Sequence, residues 1–410
     1  MPRTSSTSAR WILWLCCVAQ FMVILDVSVV NVALPSIRAD LGFSQIDLQW
    51  VVNAYTLTLA GFLLLGGRAA DLLGDRRVFI AGLAAFTLSS LVGALANAQI
   101  VLIVARGIQG LGGAVVTPVT LSIITSTFGE GRDRNRALAA WSAMGGVGGA
   151  VGVLLGGVLT EVFGWRSILL INVPVGIAAG ILAFRLVTGG RQRTGERNYD
   201  LAGAATITAG LVILTYAIVR TDVNGWGSAK TLIPMAVGFL LIGIFLAIEG
   251  RLARRPLVPL RIFRSRTLSS ANVVIFFLGG SAFSMWFFVS LYMQQVLHYS
   301  PIEAGLGFAP LSAVVVIGST LAGRIALRVG AGRVLSAGMA SVGAGLLLFS
   351  GVTLHGSYVT EVMIPGLVTA FGIGLVFVSG TVTAVAGVAR AETGLASGLV
   401  NTSRTFGAAL

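Results

Sequence analysis

Apolar runs of about twenty residues alternate with short polar breaks along this chain. A run of that length matches a helix crossing the hydrocarbon core of a bilayer, and does not match the roughly ten-residue alternating strands of a barrel. The pattern predicts spans at 11–35, 48–67, 78–97, 100–126, 137–160, 166–187, 200–220, 231–249, 271–297, 303–325, 332–353 and 359–386. A thirteenth starts near 394 and stops at Leu410, so the chain reads as C-terminally truncated. The first span follows MPRTSSTSAR and no small-residue cleavage site, and reads as a retained helix.

Composition changes the picture only by naming the solvent. Of 410 residues 56% are hydrophobic and 10% charged, and mean hydropathy is +0.92. Soluble domains carry about 25% charged residues. The surroundings are therefore lipid, where only helices and closed barrels satisfy their backbone groups. The predicted fold class is an all-α polytopic membrane protein. The 54 glycines suit a tightly packed bundle, because small residues let membrane helices approach closely.

The net charge of +13 is explained by placement. Of 28 basic residues, 22 fall in the loops on one side and 4 (Arg38, Arg166, Arg220 and Lys230) on the other. The remaining two, Arg106 and Arg404, lie within spans. The positive-inside rule then puts the N-terminus in the cytoplasm. The basic balance needs no nucleic acid partner. Cys16 and Cys17 are adjacent, and His298 and His355 lie in short loops, so no metal site is expected.

The chain also repeats. Shifted by 256 residues, GRAADLLGDRRVFIAG (67–82) lies over GRIALRVGAGRVLSAG (323–338), with Gly74 on Gly330 and Val78 on Val334. Ser44 falls on Ser300. Parallel repeats of a six-helix unit are a transporter architecture. The expected organisation is an N-terminal six-helix bundle over 1–187, two additional helices with flanking linkers over 188–266, and an incomplete C-terminal bundle over 267–410.

Two charges stand inside spans with company that suggests chemistry. Asp26 lies in ILDVSVVNVALP (24–35). A carboxylate at bilayer depth costs roughly 2.5–3.5 kcal/mol on insertion scales, so it should face a bundle interior or a wet cavity. It reads as a proton-coupling or cation-contact site, against a structural salt bridge that fixes the first helix. Arg106 is followed by Gly110, Gly113 and Thr117 on one helical face, which would let another helix approach the guanidinium. Arginine stays protonated, so it can tune a neighbouring acid but not carry the proton itself. Asp26 is a candidate partner. The glycine array Gly145, Gly146, Gly148, Gly149, Gly152, Gly156 and Gly157 lies in an apolar run with no strand before it, which excludes a phosphate loop and favours helix packing. With no ATP site and no cofactor, the energy source would be a proton gradient.

LDVSVVNVALPSI (25–37), GGRAADLLGDRR (66–77), VARGIQGLGGA (104–114), GGAVGVLLGGVL (148–159) and FGWRSILLINVPVG (163–176) together resemble the major facilitator superfamily. More narrowly, they resemble its fourteen-helix drug:proton antiporter branch. The resemblance implies two six-helix bundles joined by two extra helices, alternating access to a central cavity, and a chain that lacks the end of the thirteenth helix and all of the fourteenth. It implies a proton-coupling role for Asp26 and Arg106, and a conformational-switch loop at Gly67, Asp71, Gly74, Arg76 and Arg77. It implies an antiporter packing motif at Gly148, Gly152, Gly156 and Gly157, although Val153 stands where that motif carries proline, which weakens the inference of export. Asp75 departs from the loop motif, and Leu327 replaces Asp71 in the second repeat. Candidate cavity residues are Trp50, Asn53, Tyr55 and Gln109, with Phe283, Trp286, Tyr292 and Gln294 from the aromatic ninth span.

The resulting expectation is a monomeric exporter, embedded in membrane lipid, that exchanges protons for small apolar or cationic compounds. The alternatives are a proton-coupled importer and a transport-inactive membrane sensor. An enzyme is excluded: the spans hold no Ser/His/Asp set and no paired carboxylates.

Overall fold

The computed structural model describes residues 6–129, 132–187, 201–252, 260–386, 388 and 393–409. The expected linker at 188–200, and residues 253–259 of the second one, lie outside the described residues, as do the side chains of Arg68 and Asp71.

The apolar runs fold as helices, because no other open structure pairs every backbone N–H inside lipid. They are α1 (Ser6–Leu41), α2 (Trp50–Leu73), α3 (Asp75–Ala94), α4 (Gln99–Thr127), α5 (Arg132–Phe163), α6 (Asn172–Leu186), α7 (Leu201–Val219), α8 (Ala229–Ala247), α9 (Arg266–Gln295), α10 (Pro301–Val329), α11 (Ala331–Phe349), α12 (Ile364–Ala386) and α13 (Thr393–Ala409). Among the described residues, nine helices are long and apolar enough to cross a membrane. Each predicted span falls on one of the thirteen helices α1 to α13, though those at 48–67, 137–160 and 200–220 fall on α2, α5 and α7, outside the nine. The ends differ where helix outlasts apolarity: α1 runs on through Arg38 and Asp40. The sixth span breaks in two, a short turn at Ser167–Leu170 and then α6. Pro174 has no N–H to donate four residues back, so the helix restarts at Asn172 with the proline in its first turn.

Spatial clustering divides the chain into two compact units. One comprises 1–27, 38–149 and 165–257; the other comprises 28–37, 150–164 and 258–410. In the first, backbones meet at glycines. A Cβ on Gly112 would lie 2.6 Å from the Phe86 nitrogen and 2.8 Å from the Gly82 carbonyl oxygen, which locks α3 on α4. Gly66 and Gly110 bring α2 against α4 in the same way. Gly148 seats α5 on Ile24 and the Phe21 carbonyl of α1, and α7 joins α2 through Thr208, whose hydroxyl donates to the Gly61 carbonyl at 2.7 Å.

The second unit repeats the device. Gly338 of α11 faces Gly372 of α12, Gly318 and Gly374 join α10 to α12, and Gly279 and Gly407 join α9 to α13. Gly156 packs on the Val29 carbonyl and Gly157 on the Pro301 carbonyl. Large apolar side chains such as Leu88, Ile100, Phe184, Phe239 and Leu347 remain exposed, as expected of a surface bathed by lipid.

The sequence repeat is legible in backbone geometry. Gly74 and Gly330 both have φ of 89°, each ends one helix and starts the next, and each N–H donates at 3.0 Å to the carbonyl four residues back, Ala70 or Ala326, themselves a repeat pair. Ser44 and Ser300 both cap a helix start with φ of −65°, accepting from Asp47 and Glu303, which are again 256 apart. A side chain at φ near +90° is strained, so Gly74→Ala and Gly330→Ala are each expected to lower stability by about 1–2 kcal/mol. Thermal melts of the purified protein in detergent check this. Two wild-type melts would show that neither turn needs glycine.

Candidate functional site

Asp26 is 0% exposed, and its carboxylate is surrounded by donors. Arg106 Nη1 donates to Oδ2. Gln109 Nε2 and Asn172 Nδ2 each donate to Oδ1 at 2.8 Å. The same two amides also reach Ser90 Oγ at 3.1 Å, and that hydroxyl donates to the Leu169 carbonyl at 2.8 Å. Arg106 Nη1 also donates to Gln109 Oε1 at 2.7 Å, and its Nε to the Val51 carbonyl at 3.0 Å. The guanidinium lies 4.3 Å from the centre of the Tyr55 ring, whose hydroxyl donates to the Val23 carbonyl at 3.1 Å.

Each helix supplies its part for a local reason. Arg106 and Gln109 stand three apart on α4 and so share a face. Gly110 and Gly113 draw α2 close, placing Tyr55 under the guanidinium; this is the glycine stripe expected beside Arg106. The restart at Asn172 puts an amide at the first turn of α6. The node thus ties α1, α2, α3, α4 and α6. Of the two surroundings expected for Asp26, a bundle interior or a wet cavity, the structure shows the first, with donors from α4 and α6 on its carboxylate.

The arrangement fits an acceptor-only carboxylate. Three protein donors occupy three of its roughly four lone-pair sites. Sequence reasoning missed Ser90 and Asn172. The signal was present for Asn172, the one polar side chain in ILLINVPVG. Ser90 lies beside Ser89, and only the fold distinguishes them. Asn172→Leu removes one donor from Asp26 and is expected to destabilise the protein by about 1–3 kcal/mol, with a smaller effect for Ser90→Ala. Melting of both variants checks the order; the reverse order would deny Asn172 this place.

The other candidates are distributed more widely. Gly67 packs on Pro118, and Gly74 makes the turn described above. Arg76 donates to the Phe184 carbonyl at 2.6 Å and covers the Phe184 ring at 4.4 Å, which ties the start of α3 to the end of α6. Arg77 is exposed. Gly152 is buried in α5. Trp50 lies 6.2 Å from the Tyr216 ring and lines an open cavity of about 570 Å³ with Asp47 and Arg220. Asn53 is half-buried one turn further along α2. In the second unit, Trp286 packs on Phe308 at 4.6 Å and Phe283 is half-buried. Tyr292 donates to the Thr353 carbonyl and to Glu361, and Gln294 to the Val32 carbonyl at 2.9 Å.

A family model described as Major Facilitator Superfamily matches residues 16–410. The chain belongs to the Major Facilitator Superfamily. Within the superfamily it is 46% identical over 410 residues to the cephamycin export protein CmcT of Amycolatopsis lactamdurans, covering 99% of this chain and 84% of that one. It is 35% identical to the puromycin resistance protein pur8 of Streptomyces alboniger, covering 98% of this chain and 80% of that one. Among solved structures, the POT family transporter PepTSo aligns with a TM-score of 0.71 at 17% identity, over 99% of this chain and 88% of that one. A bacterial Spinster homologue in an inward-facing state aligns with a TM-score of 0.67 at 18% identity, over 99% and 81%. These two likenesses show the major facilitator fold. The chain is thus a multi-pass membrane transporter close to antibiotic and drug export proteins of the fourteen-helix branch, and not an enzyme.

Proposed function

We propose that this transporter exports small apolar or cationic compounds in exchange for protons, by alternating access, across the plasma membrane with its N-terminus in the cytoplasm. The observation that carries the reading is the Asp26–Arg106 node: a fully buried acid paired with a buried arginine and held by two further amide donors. Such groups mark ion pathways by default, because an ionised side chain at that depth is expensive. The export proteins among its relatives support the direction. In this reading the first six helices carry the proton chemistry, α7 and α8 are the additional pair, and the second bundle begins at α9. The loop at Gly67, Asp71, Gly74, Arg76 and Arg77 switches with conformation, and Gly148, Gly152, Gly156 and Gly157 let helices close on one another. Trp50, Asn53 and the aromatic face of α9 contribute to the compound's path.

The test uses inverted membrane vesicles with an imposed pH gradient and a panel of lipophilic cations and antibiotics. Addition of a compound is expected to release protons from the vesicle lumen while the compound accumulates inside. Compound leaving the vesicles together with protons would replace export by import. Silence from folded protein across the panel would favour the transport-inactive sensor.

A further inference from the structure

Arg404 is the second basic residue within a predicted span, and the Asp26 node does not use it. It lies eleven residues past the start of α13, where the sequence pattern predicts a thirteenth span. Taking a guanidinium out of water is costly unless its donors are matched. Arg106 meets that condition with a carboxylate, an amide oxygen and a backbone carbonyl. Arg404 does not. Among the described residues it makes one hydrogen bond, to Asn401 Oδ1 at 2.6 Å, and it lies 5.4 Å from the centre of the Phe377 ring. No carboxylate of the described residues comes within ion-pair distance of it.

The surroundings hold the group in place without neutralising it. Gly279 and Gly407 press α9 and α13 backbone to backbone. Ser403 donates to Asn272 Oδ1 at 2.8 Å across the same seam. Arg404 itself stays half-buried beside this rigid pair. A guanidinium with one face over an aromatic ring and most of its fork of donors unused matches the planar, bidentate geometry of a carboxylate.

We infer that Arg404 anchors the carboxylate of compounds this transporter carries, so that its substrates include small amphipathic monoanions with an apolar body. Phe377 and α9 accommodate the body, and Asn401 orients the guanidinium. The inference rests on the reading of the chain as a small-molecule exporter. It adds an acidic class to the apolar and cationic ones, and it does not depend on proton coupling.

Binding to the purified full chain tests it apart from transport. The probes are benzylpenicillin, which has an apolar body and one carboxylate, and its methyl ester. The acid is expected to bind about tenfold or more tightly than the ester. Arg404→Gln is expected to cut that advantage to less than about twofold while leaving the ester's affinity unchanged, which also reports that the variant is folded. Arg404→Lys keeps the charge and loses the fork, so a reduced preference for the acid is expected. The inference is overturned if the wild-type chain shows no preference for the acid, absence of binding by both probes included. It is equally overturned if the preference survives Arg404→Gln. Failure here leaves proton-coupled export untouched. Silence in the vesicle assay with intact acid preference would instead overturn proton-coupled export and leave the Arg404 anchor standing.

Discussion

Asp26→Asn is expected to reduce compound-evoked proton release in vesicles by at least about 100-fold, the scale of losing a positioned proton-transfer group. The substitution keeps the size of the side chain and removes its charge and one acceptor. Arg106 then faces an amide N–H in place of Oδ2, while the one remaining oxygen still serves Gln109 and Asn172 as Oδ1 does now. Compound binding, measured on purified protein, should survive, because nothing in the node opens to solvent. The helices should still assemble, at a reduced melting temperature, since Arg106 keeps the Val51 carbonyl, Gln109 and the Tyr55 ring. Wild-type proton release from the variant would make the Asp26–Arg106 pair structural and place coupling elsewhere.

Arg106→Gln has the opposite signature, with the larger effect on folding. It leaves a fully buried carboxylate without its cation. Breaking a buried pair from one side costs about 3–5 kcal/mol, much of it the penalty of the orphaned charge. Detergent melts should drop sharply, and the yield of folded protein with them. Adding Asp26→Asn to Arg106→Gln removes the orphan. The double variant is therefore expected to recover most of the lost stability and none of the proton release. The melts form a double-mutant cycle, and strong positive coupling between the sites is the expected result. Simple additivity would mean that the two charges do not stabilise one another.

The helices are legible in the sequence because lipid imposes one rule on every apolar run. Hydrophobicity alone places the spans, and the glycine stripe after Arg106 correctly announces a close helix, which is α2. What the sequence leaves open is convergence. Arg106 reaches Asp26 across 80 positions, and Asn172 reaches it across 146, so no local pattern could join them. The cost of a buried charge calls for a bundle interior or a wet cavity, and says nothing of the donors that α4 and α6 bring. The loop arginines show the same limit: Arg76 has a carbonyl partner on α6, a backbone group that no charge pattern could announce.

The twin turns at Gly74 and Gly330 lead further. A duplicated helix joint starts with two interchangeable copies. The copies keep the same backbone angle, yet the side chains around them have parted. Leu327, in the place of Asp71, is 89% exposed, and on the same shift Asp26 falls on buried Ala282. With Leu327 and Ala282 where the first half has Asp71 and Asp26, the two halves can change separately: in the proposed reading one is held to ion chemistry that tolerates little change, the other free to drift towards new cargo. Relatives exporting different antibiotics would then differ most in residues after α8 and least around Asp26, a division of labour in which a single ancestral engine serves many freights.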